Sequence, residues 1–340
     1  MNNTKRRDSN MELYRIVAML LVMLFHVCGE IDQIGDRLFP DTLETTHMVN
    51  LFFTSATFVC VDMFVLLSGW YGINLKWKKI QSLVFQVLFY SVLLYVVMML
   101  VFPNISFSPR FLIHVVIMDD YWFIPVYLML CLVAPALNPF IKQANHKLLL
   151  TVVLAIITMQ SIYGWINTWE SGYMEGCSPI SFVILYMLGA YLHRFETKFR
   201  HISSGRLLSF YFILISVNWG IAVIAKQYHS ITLLQIAWRF SSPLIILASA
   251  CLLLVFSRID IGYNRVINWI AASSFAAFLI HCFPLFYDNV YAKTVTNIYS
   301  ELPLYISVPA LIAFVLTVYA ASILIDQIRI KIYRFVKGNN

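Results

Sequence analysis

Apolar blocks near twenty residues long alternate along this chain with short polar stretches that carry turn residues or charge. About twenty apolar residues suffice to cross a bilayer as a helix, so each block reads as a spanning helix. Ten are predicted, at 11–29, 48–70, 81–102, 121–138, 148–167, 180–193, 207–225, 239–256, 266–287 and 302–326. The sixth and eighth are the shortest or the most interrupted. No low-complexity tract, large loop or internal repeat divides them. The pattern predicts an all-α polytopic integral membrane protein with about ten transmembrane helices, as one domain over residues 1–340.

Composition agrees with the pattern. The 340 residues are 60% hydrophobic and 12% charged, with mean hydropathy +0.76, whereas soluble domains carry about 25% charge. The net charge of +7 does not point to nucleic acid, because the basic residues are not gathered on one face. Their placement reports orientation instead. With the N-terminus inside, all but five of the 24 basic residues fall on the cytoplasmic side. The five outside are Arg37, Arg110, Lys226, Arg239 and Lys293. That bias satisfies the positive-inside rule and predicts that both termini are cytoplasmic. Lys5, Arg6 and Arg7 before an apolar run resemble a signal peptide, but the run ends Phe25-His26-Val27-Cys28-Gly29-Glu30, with no small-x-small cleavage site. An uncleaved first span is predicted. Acidic residues such as Glu30 and Asp32 in the first outer loop read as solvated. The six cysteines are scattered without CxxC or metal-type spacing, so they read as buried small hydrophobes; neither a disulfide framework nor a metal site is indicated.

Within the first span, three polar groups interrupt the apolar run. On a helix, His26 is rotated only about 20° from Arg15 and lies about 16 Å further along the axis, with Glu12 within about 60° of both. Charge in hydrocarbon costs on the order of 3 kcal/mol per group, so this stripe should face protein or water and carry function. Asp62, in the second span, needs a partner that Arg15 or His26 would supply; helix–helix adhesion is the other reading. Ser68-Gly69 closes that span, where glycine permits close backbone approach or ends the helix. Lys76, Lys78 and Lys79 follow, suited to lipid headgroups or to the phosphates of a nucleotide-bearing cofactor. Asp119, Asp120 and Trp122 lead into the fourth span, either as an interfacial anchor or as a site for sugar hydroxyls. In the ninth span, Ser274 and His281 share a face but lie about 10 Å apart along the axis, too far for a direct pair. A second intramembrane histidine suggests a polar cavity that His281 shares with His26.

At these residues a resemblance becomes specific. Arg15, ten intervening residues and His26 resemble the R-x10-H signature in the first helix of the family-3 membrane acyltransferases. VDMFVLLSGWYG (61–72), YWFIPVYLMLCLVAPAL (121–137), YMLGAYL (186–192), SSPLIILASACLLLVF (241–256) and SSFAAFLIHCFP (273–284) resemble further landmarks of that family, in the same order over nearly the whole chain. The resemblance implies an O-acyltransferase that moves an acyl group, commonly acetyl from cytosolic acetyl-CoA, to a hydroxyl of a cell-surface polysaccharide or its lipid-linked precursor. It further implies residence among the lipids of a bacterial inner membrane, no metal, and Arg15 and His26 as the essential pair. The chain departs from the family in one respect: an R-x-x-R motif that many members carry after the SGF segment is replaced by lysines, which are poorer bidentate phosphate ligands.

By this reading His26 acts as general base or carries the acyl group itself, and Arg15 stabilises oxyanion charge or is oriented by Glu12 or Asp62. His281 lines the same cavity. Lys76, Lys78, Lys79, Ser68 and Gly69 are the expected acyl-CoA contacts; Trp122, Asp119, Asp120 and Arg239 are the expected acceptor contacts. The alternative is a transporter or flippase of polysaccharide or lipid-linked sugar, which would also use intramembrane charge but should show an inverted repeat. A sensor or scaffold gives no reason for the aligned Glu, Arg and His.

Overall fold

The computed structural model describes residues 8–33, 44–118, 121–166 and 172–337. In chain order the helices are α1 (Ser9–Gln33), α2 (Thr45–Thr57), α3 (Cys60–Tyr71), α4 (Trp77–Val101), α5 (Pro109–Ile117), α6 (Phe123–Gln143), α7 (His146–Gln160), α8 (Pro179–Arg194), α9 (Ser204–Gln227), α10 (Ile231–Ala237), α11 (Pro243–Ser257), α12 (Arg265–His281), α13 (Pro284–Phe286), α14 (Ala292–Glu301) and α15 (Leu304–Lys337). The predicted apolar blocks fall largely on helices, but 48–70 is split between α2 and α3, 266–287 runs past the end of α12, and 239–256 becomes helical only from Pro243. Among the described residues, seven helical stretches are long and apolar enough to cross a membrane, with α2 and α3 counted as one (Thr45–Tyr71) and α7 extended to Ile166, or eight when the bent pair Arg265–His281 and Pro284–Glu301 counts as one span. The blocks at 180–193 and 239–256 become α8 and α11, of 16 and 15 residues. The short helices α5 and α10 answer to no predicted span.

Local chemistry sets several boundaries. Ser178, Ser203 and Ser230 cap α8, α9 and α10 by accepting the N–H of Ser181, Arg206 and Leu233, which satisfies donors that the first helical turn leaves open. Asn264 caps α12 through the N–H groups of Val266 and Ile267. Pro179 and Pro243 open α8 and α11, where the missing N–H costs nothing.

The described residues gather into two compact units, each built from separated stretches. One holds 1–31, 82–121 and 261–340; the other holds 32–81 and 122–260. In the second, α3 crosses α8 backbone against backbone. A Cβ on Gly69 would lie 2.1 Å from the Tyr186 carbonyl oxygen, and one on Gly189 would lie 2.2 Å from that of Leu66. Membrane helices pack through such small residues, because lipid offers no hydrophobic drive to associate. Beyond Gly72, whose φ of 72° suits glycine, the chain is tied down. The Tyr186 hydroxyl accepts the Ile73 N–H at 2.9 Å and donates to Asn138 Oδ1 at 2.6 Å, while Asn138 Nδ2 donates to the Ile73 carbonyl. Ile73 and Asn138 border a cavity of about 530 Å³ that Asn74 and Lys142 also line.

In the first unit α12 packs on α15. Polar groups face inward across that contact: Ser274 and Tyr319 hydroxyls lie 2.6 Å apart, and Gln327 donates to Ser273 at 2.7 Å. Lower on α15, the fully buried Asp326 takes Arg329 Nε at 2.6 Å and the Tyr90 hydroxyl at 3.0 Å.

Two stability predictions follow from these contacts. Gly189→Ala should lower thermal stability in detergent by an amount equivalent to about 3 kcal/mol, the upper range for overpacking, whereas Gly220→Ala, whose Cβ meets nothing within 4 Å, should not lower it. Arg329→Met should strand a buried carboxylate at a cost of about 3–5 kcal/mol, and adding Asp326→Leu should recover most of that loss; both are read from melting curves of the purified chain.

Candidate functional site

His26 sits toward the far end of α1, half-buried, and His281 is the last residue of α12, fully buried. Their rings lie 5.1 Å apart at 49°, and His26 Nδ1 is 3.0 Å from His281 Nε2. His281 Nδ1 lies 2.5 Å from the Ala277 carbonyl oxygen, one turn back on the same helix. That contact decides where the protons are. A carbonyl only accepts, so His281 Nδ1 carries a hydrogen, and in the neutral ring Nε2 is then an acceptor. His26 Nδ1–H must donate to it. The remaining nitrogen, His26 Nε2, is left with a bare lone pair.

The surroundings hold the pair in place. Tyr287 stands edge-on to His26 at 5.6 Å and 81°, and its hydroxyl donates to Glu30 Oε1 at 2.5 Å. Glu30 follows His26 by one helical turn, on the same face of α1. Tyr291 stacks on Tyr287, lies 5.5 Å from the His281 ring and anchors to the Met23 carbonyl at 2.8 Å. The Cys282 sulfur is 3.3 Å from His281 Nε2 and 3.7 Å from His26 Nδ1. Directly after it, the chain bends by 71° into Pro284–Glu301. Pro284 has no N–H to continue the helix and restricts the residue before it, which ends α12 at this point.

The other sequence candidates fall as follows. Arg15 pairs with Glu12 at 2.5 Å, three residues back on α1, with the arginine side chain 31% exposed. Helix geometry keeps its Cα about 16 Å from that of His26. Asp62 is fully buried in α3, and neither carboxylate oxygen has a hydrogen-bond partner among the described residues. Ser68 donates to the Phe64 carbonyl and lies 3.2 Å from the Tyr127 hydroxyl, while Gly69 serves the α3–α8 crossing. Lys76, Lys78 and Lys79 are exposed around the start of α4. Trp122 is 40% exposed beside Phe123, Phe182 and Phe240. Arg239 is buried, donating to the Trp165 carbonyl at 2.8 Å and pairing with Glu175 at 3.5 Å. Asp119 and Asp120 lie outside the described residues. Ser274 bonds Tyr319 and the Ile270 carbonyl.

Sequence reasoning passed over Glu30, Tyr287 and Cys282. The apolar pattern ends the first span at residue 29 and places Glu30 in a solvated loop, whereas α1 continues to Gln33. Cys282 directly follows His281, and that adjacency was the available signal.

Neither a curated protein nor a solved structure shows a significant match to the chain. Residues 8–326, nearly the whole length, match the acyltransferase domain model of acyltransferase family 3. The first-helix Arg15 and His26, the helical spans and this match over nearly the full length agree, and the chain belongs to the family-3 membrane acyltransferases.

Proposed function

We propose that this membrane acyltransferase moves an acetyl group from cytosolic acetyl-CoA to a hydroxyl of a cell-surface polysaccharide, or of its lipid-linked precursor, in a bacterial inner membrane. The observation that carries the reading is the His281–His26 hydrogen bond, oriented by the Ala277 carbonyl. It leaves His26 Nε2 as an unprotonated base held in one orientation.

In the proposed reaction the acceptor hydroxyl gives its proton to His26 Nε2 as its oxygen attacks the thioester carbonyl. The tetrahedral intermediate collapses, the carbon–sulfur bond breaks, and the leaving thiolate takes the proton back from the imidazolium. The products are the ester and CoA thiol, and His26 returns to its starting state. His281 acts as a positioning residue: it holds the tautomer and spreads the charge that His26 acquires. General-base catalysis of this kind contributes about 10²- to 10⁴-fold.

Geometry along α1 supports the direction of transfer. With the N-terminus inside, Arg15 lies about 9 Å from the helix start and His26 about 25 Å from it, the latter in the outer half of a hydrocarbon core about 30 Å thick. Arg15, steadied by Glu12, then meets the donor near its cytosolic entry. Lys76, Lys78 and Lys79, with Lys142 on the cavity near Asn138, offer cations for CoA phosphates. Trp122 offers an aromatic face to a sugar ring.

His26→Ala should abolish acyl transfer, by at least about 10²-fold, without loss of expression. His281→Ala should depress kcat far more than the KM of either substrate, and His281→Gln, whose amide oxygen can still accept from His26, should recover part of it. The assay is radiolabelled acetyl-CoA incubated with membranes, scored as base-labile ester. A well-expressed His26→Ala protein that retains most of its activity removes this mechanism.

A further inference from the structure

We propose that His26, His281 and Cys282 also form a binding site for a zinc-like divalent cation, and that its occupancy switches the acyl-transfer site off. The site stands on geometry. The three donor atoms are mutually spaced at 3.0 Å (N to N), 3.3 Å and 3.7 Å (S to N), and all lie within 4.8 Å of one another. Tetrahedral zinc, with Zn–N of about 2.0–2.1 Å and Zn–S of about 2.3 Å, sets N–N edges near 3.4 Å and N–S edges near 3.5 Å. The donors stand within a few tenths of an ångström of those edges before any ion arrives.

The donor set also selects the ion. Two imidazoles and a thiolate suit zinc and other borderline or soft cations, and disfavour magnesium and calcium, which prefer oxygen. Three protein ligands leave the fourth tetrahedral position open. One ligand is already prepared. A metal-bound histidine almost always donates its other N–H to a carbonyl or carboxylate, and His281 does this through Nδ1 to Ala277 while Nε2 faces the other two donors. The half-buried Cys282 and His26 leave the cluster reachable.

Binding changes the protons in a defined way. The Cys282 thiol releases one proton to solvent as its sulfur bonds the cation. His26 must offer the Nδ1 lone pair, so its single ring proton moves from Nδ1 to Nε2. The nitrogen that serves as base in the proposed reaction thereby becomes an N–H donor. This consequence for activity rests on the base assignment above; the metal site itself does not.

The experiment uses the full chain in detergent, stripped with a chelator and titrated with Co²⁺ as spectroscopic probe and Zn²⁺ as competitor. The expected result is one Co²⁺ per chain with a thiolate-to-cobalt charge-transfer band. Zn²⁺ displaces it, and Cys282→Ser removes the band. Zn²⁺ should also inhibit acetyl transfer reversibly, with inhibition weakened at least about tenfold in Cys282→Ser, since changing even an outer partner of a metal ligand costs about 10- to 100-fold in affinity. Absence of stoichiometric cobalt, or a charge-transfer band that survives Cys282→Ser, overturns the site. Stoichiometric binding that leaves transfer untouched upholds the site and instead overturns His26 Nε2 as the base.

Discussion

In the proposed reaction a single backbone carbonyl, that of Ala277, sets the protonation of the histidine pair. It accepts from His281, which makes His281 an acceptor toward His26, which in turn leaves the His26 lone pair on Nε2. The chain of consequence works only because the groups are sheltered from bulk water, where a carbonyl at the end of a helix would be solvated and either imidazole could exchange tautomers freely. The packing of Tyr287, Tyr291 and Phe278 against the two rings is therefore part of the proton arrangement as well as of the fold.

The same rule, that hydrocarbon obliges polar groups to find partners within the protein, accounts for the arrangement of the first unit. Asp326 gathers Arg329 and Tyr90, and Ser273 and Ser274 find Gln327 and Tyr319 on the facing helix. In the second unit, close packing does more of the work. Gly69 and Gly189 let α3 and α8 approach until one backbone meets the other, and Tyr186 and Asn138 fasten the loop that follows.

Much of this was legible in the sequence where the signal is local. Twenty-residue apolar runs announce helices, and the shared stripe of Glu12 and Arg15 narrows the partner of Arg15 to Glu12 or Asp62, of which Glu12 pairs with it. Contacts between distant segments were not legible. His26 and His281 are 255 positions apart, and which faces of α1 and α12 meet depends on packing that no periodicity reports. Gly69 illustrates an intermediate case: the need for close backbone approach was readable, but whether a ligand or another helix made that approach was not. Arg239 reads as an outer-side cation for the acceptor, and nothing local in the sequence signals the bonds it makes inside the fold to the Trp165 carbonyl and Glu175.

The placement of His281 as the final residue of α12, immediately before the 71° bend, also bears on how relatives of this chain can diverge. Insertion or deletion of one residue anywhere between the Asn264 cap and the bend would swing the imidazole through about 100° around the helix, away from its partner. Substitutions along α12 can be absorbed by repacking; changes of length cannot. Evolutionary drift in segment length should accordingly collect in the connections outside this stretch, leaving the interval from cap to bend constant among descendants that keep the activity.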